Sequence, residues 1–207
     1  MNLKKLVAGC YLAALFLWLA QGVGVLVQTA WYTHQGMAGE RVLSIEDLGM
    51  VSIKQYENGQ DPDEVWYVST DSDPQFFWEG DVWVRRVVLD VEHLRPGNGV
   101  ELYYRLAGQA VYSARQTVYA ERDAEGRFVF DLGGKLISGL RIDPDSVGGI
   151  PTRFNAVVID PPQGWYTAFV PDAGQWLLLL FLPLLLSALV AEAGSLLGLP
   201  RQKRVRY

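Results

Sequence analysis

Hydrophobic and polar residues follow two different patterns along the 207 residues of this chain. Residues 6–27 form an apolar run without a charged residue, and residues 176–199 form a second run that contains one, Glu192. A helix rises about 1.5 Å per residue, so either run can cross a hydrocarbon core about 30 Å thick. Between the runs, apolar and polar residues alternate over short segments. The pattern predicts two transmembrane helices that enclose a β-rich segment.

The charges next to the two runs predict how the chain is oriented. Lys4 and Lys5 precede the first run, and four basic residues follow the second. Basic flanks stay on the cytoplasmic side, so we predict a two-pass protein of the plasma membrane with both termini in the cytoplasm and an extracytoplasmic middle. The predicted segments are a cytoplasmic N-terminus (1–5), a transmembrane helix (6–30), a β domain (31–175), a second transmembrane helix (176–199) and a basic cytoplasmic tail (200–207).

Two other interpretations of the N-terminus fit less well. Residues 7–10 have the composition of a lipoprotein signal, but nearly all of the apolar stretch follows Cys10 instead of preceding it. A cleaved signal peptide has a shorter apolar region and a small-residue cleavage site, and residues 28–30 (Gln-Thr-Ala) match such a site poorly. An uncleaved anchor is favoured. Because Cys10 is the only cysteine, the middle segment contains no disulfide of its own.

The middle segment is acidic. Residues 33–175 carry a net charge of −10, from 12 basic and 22 acidic side chains. This charge repels nucleic acid and anionic lipid surfaces, so a nucleic-acid partner is not expected.

Alternation and turn residues predict eight strands in the middle segment. In residues 82–91, Trp83, Val87 and Leu89 are expected on one face, with Arg85 interrupting it. Glycine-containing stretches at 97–99, 123–126 and 133–134 are expected to be hairpin connections, and residues 44–49 a short helical turn. We predict a mainly β fold, a two-sheet antiparallel sandwich between the two transmembrane helices. The predicted strands are 65–68, 75–78, 82–91, 100–106, 116–120, 127–132, 135–142 and 153–159.

Three motifs in this segment resemble a known family. They are Ser-Thr-Asp-Ser-Asp-Pro-Gln-Phe at 69–76, Val-Arg-Arg-Val-Val-Leu-Asp-Val at 84–91 and Gly-Leu-Arg-Ile-Asp-Pro at 139–144. Residues 65–160 thereby resemble the jelly-roll, galactose-binding-like modules of bacterial membrane glycosyltransferases and other envelope-polysaccharide proteins. The resemblance implies an accessory, sugar-binding role. The chain lacks the multi-span catalytic part of the larger relatives, so glycosyl transfer is not expected.

The first motif supplies the candidate ligand-binding residues Asp71, Asp73, Gln75 and Trp78. Planar polar groups beside an exposed aromatic ring suit a sugar. Two carboxylates that bracket one residue are also able to hold calcium, and aspartates in turns commonly bond backbone amides instead. The turn interpretation is favoured, and neither a metal nor a cofactor is expected.

Other polar residues are less specific. Two residues apart on a predicted strand, Arg141 and Asp143 share a face, where they are able to pair. The chain contains no nucleophile elbow, zinc-binding helix motif or phosphate-binding glycine loop, and His34 and His93 lack companions at ligand spacing. We therefore predict no enzyme. The alternative is a glycosidase-type pair of carboxylates that the fold brings together from separate parts of the sequence.

The second apolar run offers a helix-packing surface. Gly194 and Gly198 form a Gly-x-x-x-Gly pair, and Glu192 lies beside it within the run. The first run offers Gly9 with Ala13, and Ala20 with Gly24. Such small residues allow close helix contact, either between the two runs or with another membrane protein.

These observations predict a membrane-anchored, non-catalytic accessory protein that binds or guides an envelope polysaccharide. The alternative is a protein-interaction subunit that docks onto a larger membrane glycosyltransferase or transporter through its sandwich and helices.

Overall fold

The computed structural model describes residues 3–57, 64–97 and 99–196. Two long helices, α1 (Leu3–His34) and α2 (Ala173–Leu196), flank a mostly antiparallel β-sheet. Both helices are long and apolar enough to cross a membrane. The chain divides into two compact units. The helix unit contains the described residues up to Val27 and from Gly164 on, and the sandwich unit is Gln28–Gln163.

The helix unit is packed around a glycine. Phe169, at the end of a 3₁₀ turn (Trp165–Phe169), lies so close to Gly22 of α1 that a Cβ atom at Gly22 would be 2.5 Å from its ring. The same ring packs edge to face against the Trp18 ring, with the two ring centroids 6.4 Å apart. Nearer the N-terminus of α1, the Tyr11 hydroxyl donates a 2.8 Å hydrogen bond to the Leu180 carbonyl of α2. The two apolar helices are therefore in direct contact.

The helix contacts differ from the predicted small-residue surface. Among the predicted residues, Glu192 is exposed, Gly194 is half-buried, and Gly198 lies outside the described residues. A Cβ atom at Gly9 or Gly24 would have no neighbour within 4 Å, so neither glycine contacts the second helix within the described residues. A contact of these glycines with another membrane protein stays a prediction. The bulky ring of Phe169, not a second small residue, fills the space that a glycine leaves.

The described residues of the sandwich unit form ten strands, and every pairing among these strands is antiparallel. Their order is β3-β4-β10-β5-β9-β6-β7, with β1 paired to β10, β2 to β5 and β8 to β9. The mainly β fold predicted from the sequence is confirmed, and so is the short helical turn, at Ile45–Asp47. The strands are β1 (Arg41–Leu43), β2 (Gly49–Val51), β3 (Ile53–Tyr56), β4 (Trp66–Ser69), β5 (Gln75–His93), β6 (Glu101–Leu106), β7 (Thr117–Tyr119), β8 (Glu121–Arg122), β9 (Phe128–Asp143) and β10 (Pro151–Ile159).

Two long strands replace four predicted short ones. β5 joins the predicted segments 75–78 and 82–91, and β9 joins 127–132 and 135–142. The predicted hairpin at Gly133 and Gly134 is wrong. Both glycines have positive φ (66° and 83°), but they form a bulge within β9, where the pairing with β5 shifts register. Glycine supplies the same left-handed backbone to a bulge as to a turn, so local sequence does not separate the two.

The bulge also changes which side chains face the core. Val84 and Val87 are both fully buried in the core, although they lie an odd number of residues apart on one strand. The irregularity between Val84 and Arg86 shifts the alternation by one residue. Trp83 therefore lies on the side opposite Val84, and its predicted grouping with Val87 and Leu89 is wrong.

Trp83 packs against the end of α1 within the sandwich unit. Its ring stacks on Tyr32 with centroids 4.7 Å apart, and its Nε1 donates a 3.1 Å hydrogen bond to the Thr29 hydroxyl. Its backbone N–H donates to the Met37 carbonyl at 2.8 Å. A Cβ atom at Gly134 would lie 2.8 Å from the Trp83 ring, so the bulge glycine also makes room for it.

Candidate functional site: the polar face of the sandwich

Alternation along β5, β9, β6 and β7 produces one apolar and one polar surface. Residues directly opposite each other on neighbouring strands share a face. Phe77, Arg141 and Tyr103 form one such row, and Asp143, Glu101 and Tyr119 form the next. Intervening residues, such as Leu140 and Ile142, are buried in the core. We call the outward surface the polar face, and its members are Asp73, Phe77, Glu79, Glu101, Tyr103, Arg105, Tyr112, Tyr119, Gly139, Arg141 and Asp143.

Arg141 is the centre of this face. Its Nε and Nη2 atoms lie 2.7 Å from the two carboxylate oxygens of Asp143, a bidentate pair, and Nη2 also lies 2.6 Å from Asp73 Oδ1. The guanidinium carbon is 5.0 Å from the centroid of the Tyr103 ring. The hydrogen bond to Asp143 raises the pKa of Arg141, and burial raises the pKa of Asp143 despite this bond. The predicted pairing of Arg141 with Asp143 is confirmed.

Tyr103 connects Arg141 to Glu101, which lies two residues before Tyr103 on β6. Its hydroxyl donates a 2.6 Å hydrogen bond to Glu101 Oε2. That bond, with burial as a second cause, raises the pKa of Tyr103 to about 12. Tyr103 therefore stays neutral, with its ring fixed in place beside the guanidinium of Arg141.

A second arginine is held in a similar way. Arg105 pairs with Glu79, and its guanidinium carbon is 5.4 Å from the centroid of the Tyr112 ring. Burial raises the pKa of Tyr112 to about 12. Gly139 lies beneath, and a Cβ atom there would be 2.9 Å from the Tyr112 hydroxyl. Only glycine lets these groups come together without displacing one another.

The predicted aspartates form a turn that leads into this face. One oxygen of Asp71 accepts the backbone N–H of Asp73 at 2.9 Å, and the other accepts the Ser52 hydroxyl at 2.6 Å. The bond from Ser52 lowers the pKa of Asp71. Asp73 accepts from Arg141 with one oxygen and from Gln75, at 2.6 Å, with the other. All four carboxylate oxygens therefore have protein donors. Across the described ranges, no three His, Cys, Asp or Glu side chains are grouped to hold a metal ion.

The other two predicted residues face inward. Gln75 is only 8% exposed, and its amide supports Asp73. Trp78 packs against the hydrophobic core and covers Gly80, where a Cβ atom would lie 2.6 Å from its ring. The expectation that Trp78 is an exposed aromatic is wrong, because alternation from Phe76 turns it toward the core. The exposed ring of this surface belongs to Tyr119, which is 72% exposed.

The sequence did contain a signal for the missed residues. Glu101, Tyr103 and Arg105 recur at every second position, which places them on one face of a strand. The sequence did not show which residues of other strands lie beside them, because that depends on register.

The fold and this surface define the class of the domain, an antiparallel β-sandwich with one polar face. No family model and no curated protein matches the chain.

Several solved carbohydrate-binding modules have a similar fold. A low-affinity xylan-binding module, CBM86, from Roseburia intestinalis is 11% identical, with 59% of this chain and 95% of that one covered and a TM-score of 0.36. The module CsCBM6-3 from Clostridium stercorarium, solved with cellobiose, is 9% identical (60% and 96% covered, TM-score 0.36). A family 35 module from Clostridium thermocellum is 10% identical (59% and 99% covered, TM-score 0.36). At these values the likeness concerns the fold alone.

Proposed function

We propose that this chain is a membrane-anchored accessory protein whose extracytoplasmic sandwich binds an envelope glycan on its polar face. The observation that carries the proposal is the exposed ring of Tyr119 in the same cross-strand row as Glu101 and Asp143. A sugar ring presents an apolar face and a rim of hydroxyl groups. An aromatic ring beside planar hydrogen-bonding groups complements both.

The charge of the polar face favours an uncharged glycan. The face has four carboxylates and two guanidiniums, and each guanidinium already pairs with at least one carboxylate. An anionic ligand would therefore meet a net negative surface, whereas hydroxyl groups are able to donate to the carboxylates. Because the ion pairs are formed before a ligand arrives, little side-chain entropy remains to be lost on binding.

The non-catalytic role rests on the same contacts. Every carboxylate of the polar face accepts a hydrogen bond from a guanidinium or a hydroxyl. A glycosidase needs a protonated acid and a second carboxyl group on either side of a scissile bond. On the polar face each carboxylate is instead engaged by a guanidinium or by the Tyr103 hydroxyl, an arrangement that suits ligand binding better than proton transfer.

Glycan binding is tested with the full-length protein in detergent on an array of uncharged oligosaccharides. For a glycan that binds, we expect Tyr119→Ala to weaken affinity by about 3- to 10-fold, the contribution of one aromatic contact. Val42→Ala is the matched control, because Val42 is a similarly exposed hydrophobic residue (64%) on β1, outside the polar face. Its affinity should equal that of the wild type.

Two results would contradict the proposal. One is an equal loss of affinity in both variants. The other is the absence of any glycan binding while the full-length protein copurifies with a membrane glycosyltransferase or transporter. The second result would support the docking subunit as the function instead.

The membrane arrangement is a separate part of the proposal. It is supported by two helices of sufficient length and by Lys4 and Lys5 before the first of them. In a Cys10→Ser background, we expect an impermeant maleimide to label Ala107→Cys on intact cells and to label Gln202→Cys only after lysis. Labelling of Gln202→Cys on intact cells would contradict cytoplasmic termini.

A further inference from the structure

The sandwich unit contains a cleft that is separate from the polar face. Its volume is about 610 Å³, within the range of small-ligand sites. One wall is the end of β5 with the loop that follows it, and the other is the β8–β9 hairpin. Asn155 also lines the cleft, from β10 on the opposite side of β5 from β9. None of the residues of the polar face lines this cleft.

The carboxylates of the cleft already have partners. Each of the three accepts a hydrogen bond from a neighbouring side chain. These pairs are Asp90 with Asn155, Glu92 with Arg153, and Glu125 with Arg127. An arginine therefore compensates the charge of two of these carboxylates, and the third accepts a hydrogen bond from an amide.

Two arginines of the cleft are held differently. Arg122 lies with its guanidinium carbon 4.1 Å from the centroid of the Phe128 ring and donates a 2.6 Å hydrogen bond to the Gly126 carbonyl. Arg95 donates a 2.7 Å hydrogen bond to the Gly149 carbonyl. Within the described part of the chain, neither forms an ion pair. A guanidinium has five N–H donors, so a single backbone bond positions the group and leaves most of its donors for a ligand.

A half-buried imidazole adds to the cleft. His93 lines it, and the Nδ1 atom lies 2.8 Å from the Thr152 hydroxyl, which fixes the ring. The Nε2 atom is buried and has no hydrogen-bond partner among the described residues. The ring packs edge-on against Phe128, the same ring that supports the guanidinium of Arg122. Phe128 therefore connects the two polar groups in one packed arrangement.

We propose that this cleft binds the anionic group of an acidic saccharide, a carboxylate or a phosphate, through Arg95 and Arg122. Planar guanidiniums bind such oxyanions with paired, charge-assisted hydrogen bonds. The acidic sandwich repels an extended polyanion or an anionic membrane surface, so the ligand is an isolated charge on a small or mixed saccharide. This inference does not depend on glycan binding at the polar face.

The test is titration calorimetry of the full-length protein in detergent with an aldobiouronic acid as the probe, a disaccharide of one uronic acid and one neutral sugar that carries a single negative charge. Its methyl ester, which has the same sugar rings without charge, is the matched ligand. We expect the ester to bind at least about tenfold more weakly, since charge-assisted hydrogen bonds are lost. We expect the double variant Arg95→Gln/Arg122→Gln to lose the binding of the acid to the same degree.

Two controls isolate the cleft. Arg115→Gln removes an exposed arginine that lies outside it, and should leave affinity for the acid unchanged. Tyr119→Ala should also leave it unchanged, which separates this site from the polar face. Tryptophan fluorescence of each variant shows whether it is folded.

Inorganic phosphate is the third probe and distinguishes the sources of the anion. Competition between phosphate and the aldobiouronic acid would support a shared oxyanion site. Three results would overturn the proposal: equal binding of the acid and its ester, undiminished binding by the folded double variant, or binding of phosphate without binding of the acid. Failure of both anions to bind would overturn it as well.

Discussion

Arginine side chains have different partners on the polar face and in the cleft. On the polar face, Arg141 and Arg105 are each paired with a carboxylate and placed beside a tyrosine ring. In the cleft, Arg95 and Arg122 are each bound to a backbone carbonyl. A guanidinium between carboxylates stabilises the fold, and its positive charge is already compensated within the protein. A guanidinium held by a neutral carbonyl keeps its full charge for a ligand.

The largest expected difference concerns stability. Arg141→Met should lower the free energy of unfolding by about 2–4 kcal/mol, because it leaves Asp143 buried without its charge partner. The side chain of Asp143 is only 12% exposed. Arg95→Met should cost less than about 1 kcal/mol, as expected for an exposed side chain with one backbone hydrogen bond.

Chemical denaturation of the full-length protein in detergent, followed by tryptophan fluorescence, measures both values. Equal losses for Arg141→Met and Arg95→Met would remove the distinction between a structural arginine and one that is available to a ligand.

A pair of glycine substitutions tests how closely the two regions are packed. At Gly139, a new Cβ atom would lie 2.9 Å from the Tyr112 hydroxyl and 3.2 Å from the Trp78 carbonyl oxygen. Gly139→Ala should therefore cost about 1–3 kcal/mol. At Gly97 the nearest atoms would be 3.6 Å away, an ordinary contact, so Gly97→Ala should stay within about 0.5 kcal/mol of the wild type. A well-tolerated Gly139→Ala in thermal unfolding would show that Tyr112 moves freely.

The smallest effects are expected in the pH dependence, and they have opposite signs in the two regions. Burial raises the pKa of Asp143 above its ordinary 3.8, so the stability from this group is greatest at low pH and is lost as pH rises through the raised value. Burial lowers the pKa of His93 below 6.5, against the opposing charge of Asp145 and with the help of Arg122. The stability from His93 is therefore present above 6.5 and is lost as pH falls.

Single variants separate these two effects. Between about pH 7 and pH 5, His93→Asn should lose less stability than the wild type. On further acidification toward about pH 4, the wild type should gain stability relative to Asp143→Asn. Parallel pH profiles for the wild type and either variant would mean that the corresponding group is not buried as described.

The sequence predicts elements of this fold better than their connections. Alternation identified the strands at Glu101–Leu106 and Pro151–Ile159 within two residues of their ends. The same alternation predicted two strands in place of β9, because a glycine pair favours the left-handed backbone of a bulge as much as that of a hairpin turn. Whether the chain reverses at this pair is decided by its pairing with β5, which lies far away in sequence.

The same reason limits what was predicted of the two sites. Arg141 and Asp73 are 68 residues apart, and only the register between β5 and β9 brings them together. Trp78 was expected to be the exposed aromatic ring of a sugar site beside Asp71, Asp73 and Gln75, but its position two residues after Phe76 turns it inward. The cleft combines residues from three separate segments, and no spacing in the sequence marks it.

The contact between Trp83 and the end of α1 has a consequence for protein engineering. Because Thr29 and Tyr32 complete the surroundings of Trp83, the last turns of the helix are part of the sandwich unit. A sandwich transplanted onto a different anchor would need to bring these turns with it. A splice placed after His34 would leave an indole N–H without its acceptor and a large aromatic face without its stacking partner. In such a fusion protein, the junction with a different anchor should therefore be placed at Gln28, inside the helix rather than at its end.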